Sequence, residues 1–175
     1  MSIYPFFPKS NRKLQAGQFW AIPLANGRFA CGRVLDVPPT SAKNRSEFYA
    51  GLMNWTGSQP PCFDAIAGAQ LLEHGFMHIK GITELGQSII GVRPLQLDTI
   101  LLPCTVEARS WSPGACVFQG YTLVRNSQRE EHPLEIIVDG GTYQLQINPT
   151  ALPIQTQWGY HVIQLLAEKH FGGAV

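Results

Sequence analysis

Residues 17–35, GQFWAIPLANGRFACGRVL, constrain the fold more than any other stretch of the chain. Two apolar runs flank Asn26-Gly27, a dipeptide typical of β-hairpin turns. Pro23 lies three residues before Asn26 and has no N–H group to donate to a neighbouring strand. The hairpin must therefore adopt a register in which position 23 needs no donor.

The length of the hairpin loop decides that register. A two-residue turn would place Pro23 opposite Ala30 in a hydrogen-bonded site and would lose one bond of the ladder. A three-residue loop, 25–27, with Gly27 in the left-handed conformation places Pro23 opposite Phe29, where no N–H group is needed. The sequence therefore predicts the three-residue loop.

The same register places large side chains opposite small ones. Trp20 then lies opposite Gly32, and Ile22 lies opposite Ala30. Because glycine has no side chain, the indole ring can lie against the backbone of the facing strand. We expect Trp20 to cover Gly32.

Apolar patterning along the rest of the chain predicts an α+β fold with a predominantly antiparallel, strongly curved sheet or small barrel. Spacing of apolar residues predicts two helices, at about 64–74 and 157–170. The polar residues 126–132 are expected to form a loop. We expect one domain over residues 1–175, with residues 1–16 as an extended N-terminal strap. The predicted strands are 18–24, 28–37, 47–55, 76–82, 87–92, 99–109, 115–125, 134–139 and 142–147.

Charge is scarce and unevenly distributed. Charged residues make up 14% of the 175 residues, against about 25% in typical globular proteins. A neutral surface of this kind leaves room for a contact face. Residues 1–45 carry seven basic residues and one acidic residue, Asp36. This region could meet nucleic acid or an acidic protein face, or its charges could simply solvate separate strands and loops.

The chain shows no sign of export or membrane insertion. Its first residues, MSIYPFFPKSNRK, lack the pattern of a signal peptide, and no apolar run reaches the roughly 20 residues of a membrane span. Four cysteines lack metal-ligand spacing, and reduced thiols in a cytoplasmic protein account for them most simply. Cys104 and Cys116 flank a predicted turn, and whether they pair is left open. The four are Cys31, Cys62, Cys104 and Cys116.

Residues that could carry catalysis form no recognisable constellation. His74 and His78 have an HxxxH spacing, but Gly75 separates them at the predicted helix end, which disfavours a shared metal site. Cys62 with His78 could form a thiol–imidazole pair, although a buried inert cysteine is the more ordinary alternative. We therefore expect no enzyme activity, no cofactor and no metal.

Side-chain type and loop position select a small set of candidate partner-binding residues. Tryptophan and arginine anchor many protein interfaces, and two tryptophans of this chain lie next to predicted turns. The alternatives are packed rim tryptophans and a solvated acidic loop. The candidates are Trp55, Arg109, Trp111, Glu130 and Glu131.

Four segments of the chain resemble the immunity protein 26 family of bacterial polymorphic-toxin systems. The first is the hairpin GQFWAIPLANGRFACGRVL, with its aromatic residue, AIPL tetrad and closing GRVL. The others are GQSIIGVRPL (86–95), DGG (139–141) and QWGYHVIQLLAEKHF (157–171). They occur in the same order as in the family and extend over nearly the whole chain.

The resemblance implies a cytoplasmic antitoxin that binds a cognate toxin domain and blocks it by steric occlusion. It implies a nuclease as one class of toxin, and it brings no catalytic residues with it. We expect a protein partner, a monomer when free, and neither nucleic-acid nor membrane binding. The alternative is a small-barrel module that binds nucleic acid or a small ligand through the basic N-terminal region.

Overall fold

The structure, a computed structural model, describes two compact parts of the chain. One unit comprises Met1–Leu101 with Thr156–Val175, and the other comprises Leu102–Gln155. The prediction of a single domain with an N-terminal strap at 1–16 stays a prediction. The described residues are 3–38, 45–100 and 157–173, together with the strand backbones 105–108, 121–125, 128–132, 136–139 and 142–145.

The described residues of the first unit form one six-stranded sheet with two α-helices. The elements are β1 (Gln18–Pro23), β2 (Phe29–Asp36), β3 (Glu47–Gly57), β4 (Leu71–His78), α1 (Lys80–Thr83), β5 (Gly91–Val92), β11 (Gln157–Trp158) and α2 (Val162–Phe171). The strand order is β11-β4-β3-β2-β1-β5, and only β11 runs parallel to its neighbour. The edge strands do not pair with each other, so the sheet is open, and it is not strongly curled.

This architecture confirms the predicted α+β class and the predominance of antiparallel pairing. The predicted barrel or strong curvature is wrong. A barrel needs its edge strands to meet, whereas the two edges of this sheet are the two-residue strands β5 and β11. Strands this short add few hydrogen bonds, and no further described strand pairs with them.

The first hairpin has the predicted register. Pro23 lies opposite Phe29 and Trp20 lies opposite Gly32. The N–H of Leu24 donates to the carbonyl of Arg28 at 2.9 Å. Gly27 has a φ of 79°, in the left-handed region. The three-residue loop is therefore confirmed.

Trp20 is the centre of the core on one face of the sheet. A Cβ atom at position 32 would overlap the indole ring, so Gly32 is needed for the close approach. Trp20 is 1% exposed, and its ring meets Phe48 of β3 edge-on at 5.9 Å between centroids. The apolar side of this sheet is covered by α2, whose Ile163 and Ala167 belong to the same core cluster.

The predicted C-terminal helix is confirmed from Val162 onwards, but its predicted start at 157 is wrong, because residues 157–158 pair with β4 as strand β11. The loop of the first hairpin caps the end of this helix. The side-chain amide of Asn26 donates to the carbonyls of Phe171 and Gly172 at 3.0 and 3.2 Å. The N–H of Ala25 donates to Glu168 Oε1 at 2.7 Å. Carbonyls at a helix C-terminus lack partners within the helix, so Asn26 both shapes the turn and caps α2.

The predicted helix at 64–74 is wrong. Residues 63–68 form turns and β4 begins at Leu71. Ile66 is fully buried and Gly68 has a φ of 72°, which interrupts a helix. The apolar spacing that favoured a helix is satisfied by a turn followed by a strand that pairs with β3.

Backbones of five strands are described in the second unit. The strands β6 (Thr105–Ala108), β7 (Tyr121–Arg125) and β8 (Gln128–His132) form one antiparallel sheet. The strands β9 (Ile136–Asp139) and β10 (Thr142–Leu145) form the predicted hairpin, which is confirmed. The loop predicted at 126–132 is wrong for 128–132, because these residues pair with β7.

Replacing Gly27 by valine should destabilise the first unit. No atom lies within 4 Å of the position where a Cβ would stand, so the whole cost comes from the left-handed backbone, about 1–2 kcal/mol. Gly27→Asn is the matched control, because asparagine tolerates this conformation. Urea denaturation should show a clear loss for valine and a smaller loss for asparagine. Equal stability of the valine variant and the wild-type protein would contradict the left-handed assignment.

Candidate partner-binding surface

A buried ion network joins the sheet to two loops. Arg33 of β2 is fully buried, and its Nη1 lies 2.7 Å from Asp98 Oδ2. Arg93 Nε lies 2.9 and 3.0 Å from the two oxygens of the same carboxylate. The N–H of Gly68 donates to Asp98 Oδ1 at 2.9 Å, and Arg33 Nη2 donates to the carbonyl of Arg93. One carboxylate therefore ties the loops 58–70 and 93–99 to β2.

The Asp98 carboxyl is ionised in this setting. Burial by itself would raise the pKa of Asp98 because it penalises the charged form. The hydrogen bonds from Gly68, Arg33 and Arg93, together with the charge of Arg33, outweigh burial and lower the pKa from its usual value. Two guanidinium groups therefore share one carboxylate, and the network has an excess of one positive charge.

Each of the two loops held by this network exposes one large apolar side chain. Phe63 is 44% exposed and Leu97 is 58% exposed. The guanidinium of Arg93 lies 4.6 Å from the centre of the Phe63 ring, and Arg93 Nη1 donates to the Phe63 carbonyl at 3.3 Å. We call Phe63, Arg93 and Leu97 the loop surface. The Arg93 side chain is only 11% exposed, so it mainly supports the Phe63 ring. An exposed aromatic side chain on a fixed backbone is suited to anchoring a protein partner.

Each loop is fixed from beneath by a buried apolar side chain. Ile66 is 0% exposed in the first loop, and Leu95 is 5% exposed in the second. Such anchors reduce the conformational entropy that a loop would lose on binding. The loop surface can therefore act as a preformed contact face.

The structure describes the side chain of only one of the five predicted partner-binding residues. Trp55 lies within β3 and not at a loop tip, because the strand extends to Gly57. It is partly buried, and its ring covers Gly57, 2.7 Å from the position of a Cβ there. The predicted strand 47–55 ends two residues too early, so Trp55 lies further from the turn than predicted.

The other four predicted residues belong to the second unit. Glu130 and Glu131 lie in β8, so their predicted loop position is wrong as well. Arg109 and Trp111 lie outside the described residues, as do Cys104 and Cys116. Partner binding by Trp55, Arg109, Trp111, Glu130 and Glu131 stays a prediction.

Sequence reasoning did not find the loop surface. The segment around Phe63 precedes an apolar stretch whose spacing predicts a helix, and Arg93 belongs to GQSIIGVRPL, a segment that carries only the family resemblance. The pair PP at 60–61 was a usable signal, because two prolines before Phe63 indicate a loop in which an aromatic side chain lacks a regular element to pack against.

Among the described residues, His74 is partly buried and Cys31 is fully buried. Tyr49 Oη and His74 Nδ1 are 2.6 Å apart. Burial lowers the pKa of His74, against the opposing charge of Glu73. Burial raises the pKa of the Cys31 thiol to about 12, against the opposing charge of Arg33, which leaves this thiol unreactive at neutral pH. Cys62 is exposed.

The described residues contain neither a cluster of metal ligands nor a membrane-spanning helix. No group of three histidine, cysteine, aspartate or glutamate side chains is placed there to hold a metal ion. No helix among the same residues has the length and apolar character needed to cross a membrane.

Comparison with known proteins identifies one family. The family model described as Immunity protein 26 matches residues 15–117, which is more than half of the chain. The matched segment contains the first hairpin, both loops of the loop surface and the Arg33–Asp98 pair. No curated protein and no solved structure matches.

Replacing Asp98 by asparagine should strongly destabilise the protein at neutral pH. The change leaves the buried Arg33 charge without its counter-ion, at a cost of about 3–5 kcal/mol. Because the pKa of Asp98 is lowered on folding, its stabilisation is complete above the unfolded value of about 3.9 and is lost as pH falls through the lower folded value.

Urea denaturation at several pH values tests this assignment. The stability difference between the wild-type protein and Asp98→Asn should be largest at pH 7 and should shrink below about pH 4. Asp64→Asn, an exposed carboxylate in the same loop region, is the control and should change stability little. A difference that does not vary with pH would contradict the role of the Asp98 charge.

Proposed function

The chain belongs to the immunity protein 26 family, and from this we propose that it binds and neutralises a cognate toxin domain of a bacterial polymorphic or contact-dependent toxin system. The family match is the observation that carries the proposal. Neutralisation takes place by steric occlusion, in which the bound immunity protein covers the working surface of the toxin. A nuclease is the toxin class we propose.

Occlusion requires binding and no chemistry by the immunity protein itself. Effective protection calls for a tight complex, and a Kd of 1 nM corresponds to about −12 kcal/mol. An interface of standard size buries about 800 Å² on each partner. We propose that the protein acts in the cytoplasm as a monomer and without a cofactor, so that toxin and antitoxin meet where the toxin would act.

The loop surface is the contact face that we propose within the described residues. Phe63 and Leu97 supply apolar area, and Arg93 is held against Phe63 by the buried Asp98 carboxylate. Because these groups are already in place, binding orders few side chains. Trp55, Arg109, Trp111, Glu130 and Glu131 are further proposed contacts, selected by sequence.

Co-expression with the product of the gene immediately upstream tests the function. If that product is toxic, the present chain should restore growth and should co-purify with it. A catalytically inactive toxin variant is the control for complex formation without selection. A toxic upstream product that is neither neutralised nor bound would refute the immunity function.

Removing the apolar side chains of the loop surface should weaken the complex. Phe63→Ala with Leu97→Ala should raise the Kd for the toxin domain at least about tenfold, or about 1.4 kcal/mol. Leu165→Ala is the matched control, because Leu165 of α2 is 67% exposed and lies outside the loop surface. Calorimetry with the purified toxin domain measures both. Unchanged affinity of the double variant would reject the loop surface as the contact face without contradicting the immunity function. Trp55→Ala tests in the same way whether Trp55, selected by sequence, contacts the toxin domain.

A further inference from the structure

Four exposed basic residues lie close together at the N-terminal segment. Lys9, Arg12 and Lys13 flank or form the 3₁₀ turn Asn11–Lys13, and Arg45 precedes β3. We call these four residues the basic surface. Acidic residues are scarce nearby. Glu47 is the one carboxylate among residues 3–16 and 45–47, and the sequence of residues 39–44, just before Arg45, contains Lys43 and no acidic residue.

A buried asparagine brings the two segments of the basic surface together. The N–H of Asn11 donates to the carbonyl of Arg45 at 2.8 Å, and its side-chain amide donates to the carbonyl of Glu47 at 2.7 Å. Asn11 is 5% exposed, so water competes little for these bonds. The backbones that carry Arg12 and Arg45 are therefore held side by side.

A buried glutamine fixes the other end of the turn. Gln18 of β1 is fully buried, and its side-chain amide donates to the Lys13 carbonyl at 3.3 Å and to the Tyr4 hydroxyl at 3.1 Å. Leu14, directly after the turn, belongs to the hydrophobic core. The basic side chains thus project from a backbone that is anchored on both sides.

The basic side chains of the basic surface have no ionic partner within the described part of the protein. None of its four side chains forms a hydrogen bond or ion pair with another described residue, whereas Arg33 and Arg93 are paired with Asp98. Like charges repel one another over about 8 Å at physiological salt, and the bond from Asn11 to Arg45 brings together the backbone segments that carry these charges. Keeping them together costs stability, and this arrangement favours a role in attracting a partner.

We infer that the basic surface docks against an acidic patch of the toxin domain and accelerates formation of the complex. This inference rests on the proposed function. Complementary charge at an interface mainly raises the association rate constant and makes it sensitive to salt. An acidic protein is favoured over nucleic acid because the chain has a net charge of +1 and a pI of about 7.7, whereas nucleic-acid-binding domains often have a pI above about 9.

Association kinetics with the upstream-encoded toxin domain test the inference. Arg12→Glu with Lys13→Glu should lower the association rate constant at least about tenfold at low salt and flatten its dependence on salt. Lys80→Glu with Lys169→Glu is the matched control, because it changes the net charge equally and both residues are exposed outside the basic surface. The control should change the rate constant by less than about threefold.

A second pair of substitutions and a nucleic-acid binding assay distinguish docking on an acidic protein from binding to nucleic acid. Lys9→Gln with Arg45→Gln changes no residue of the 3₁₀ turn and should also lower the association rate constant. This second variant tests the inference even if the variant with Arg12→Glu and Lys13→Glu does not fold. Oligonucleotides of random sequence serve as the probe for nucleic acid. Salt-dependent binding to them that is lost in the Arg12 and Lys13 variant, with an unchanged toxin association rate, would overturn the inference.

Failure of the inference is distinguishable from failure of the proposed function. A wild-type protein that does not bind the toxin domain at all refutes the immunity function. A wild-type protein that binds and protects, with equal association rates for the basic-surface variants and the control, overturns only the acidic-patch inference. A selective loss of rate in the basic-surface variants supports both.

Discussion

The contact between the indole of Trp20 and the backbone of Gly32 is the constraint on which the first unit depends. The ring can lie this close to β2 only because position 32 carries no side chain. A slip of one residue would turn Trp20 to the opposite face of the sheet. The register that keeps Trp20 beneath α2 also turns Arg33 to the other face, where it meets Asp98. One packing contact thus determines both the core and the buried ion network.

Sequence patterns predicted the structure correctly where residues close together in the chain determine it. The position of Pro23 relative to Gly27 predicted the loop length, and apolar spacing predicted α2. The segment 64–74 could not be predicted in this way, because its apolar residues fit a helix as well as a turn and strand. The turn and strand form there because β4 pairs with β3 and because the N–H of Gly68 donates to Asp98, 30 residues further along the chain.

The family was recognisable from sequence and the loop surface was not. Motifs spread along the chain carry the likeness, and the match over residues 15–117 agrees with it. The loop surface depends on Arg93 meeting Phe63, 30 residues away, with no local pattern that relates the two. The predicted contacts relied on side-chain type and loop position, and Glu130 and Glu131 lie in a strand where a loop is predicted.

The capping of α2 by Asn26 has a consequence for biosynthesis. The bond from Asn26 to Phe171 joins positions 145 residues apart, and the whole second unit is encoded between them. At about 5–20 residues per second, the ribosome needs several seconds to make the residues between Leu101 and Val162. During that time the face of the sheet that α2 later covers is exposed, and it can bind chaperones or aggregate. The hairpin is among the first elements to leave the ribosome, yet it is among the last to be covered.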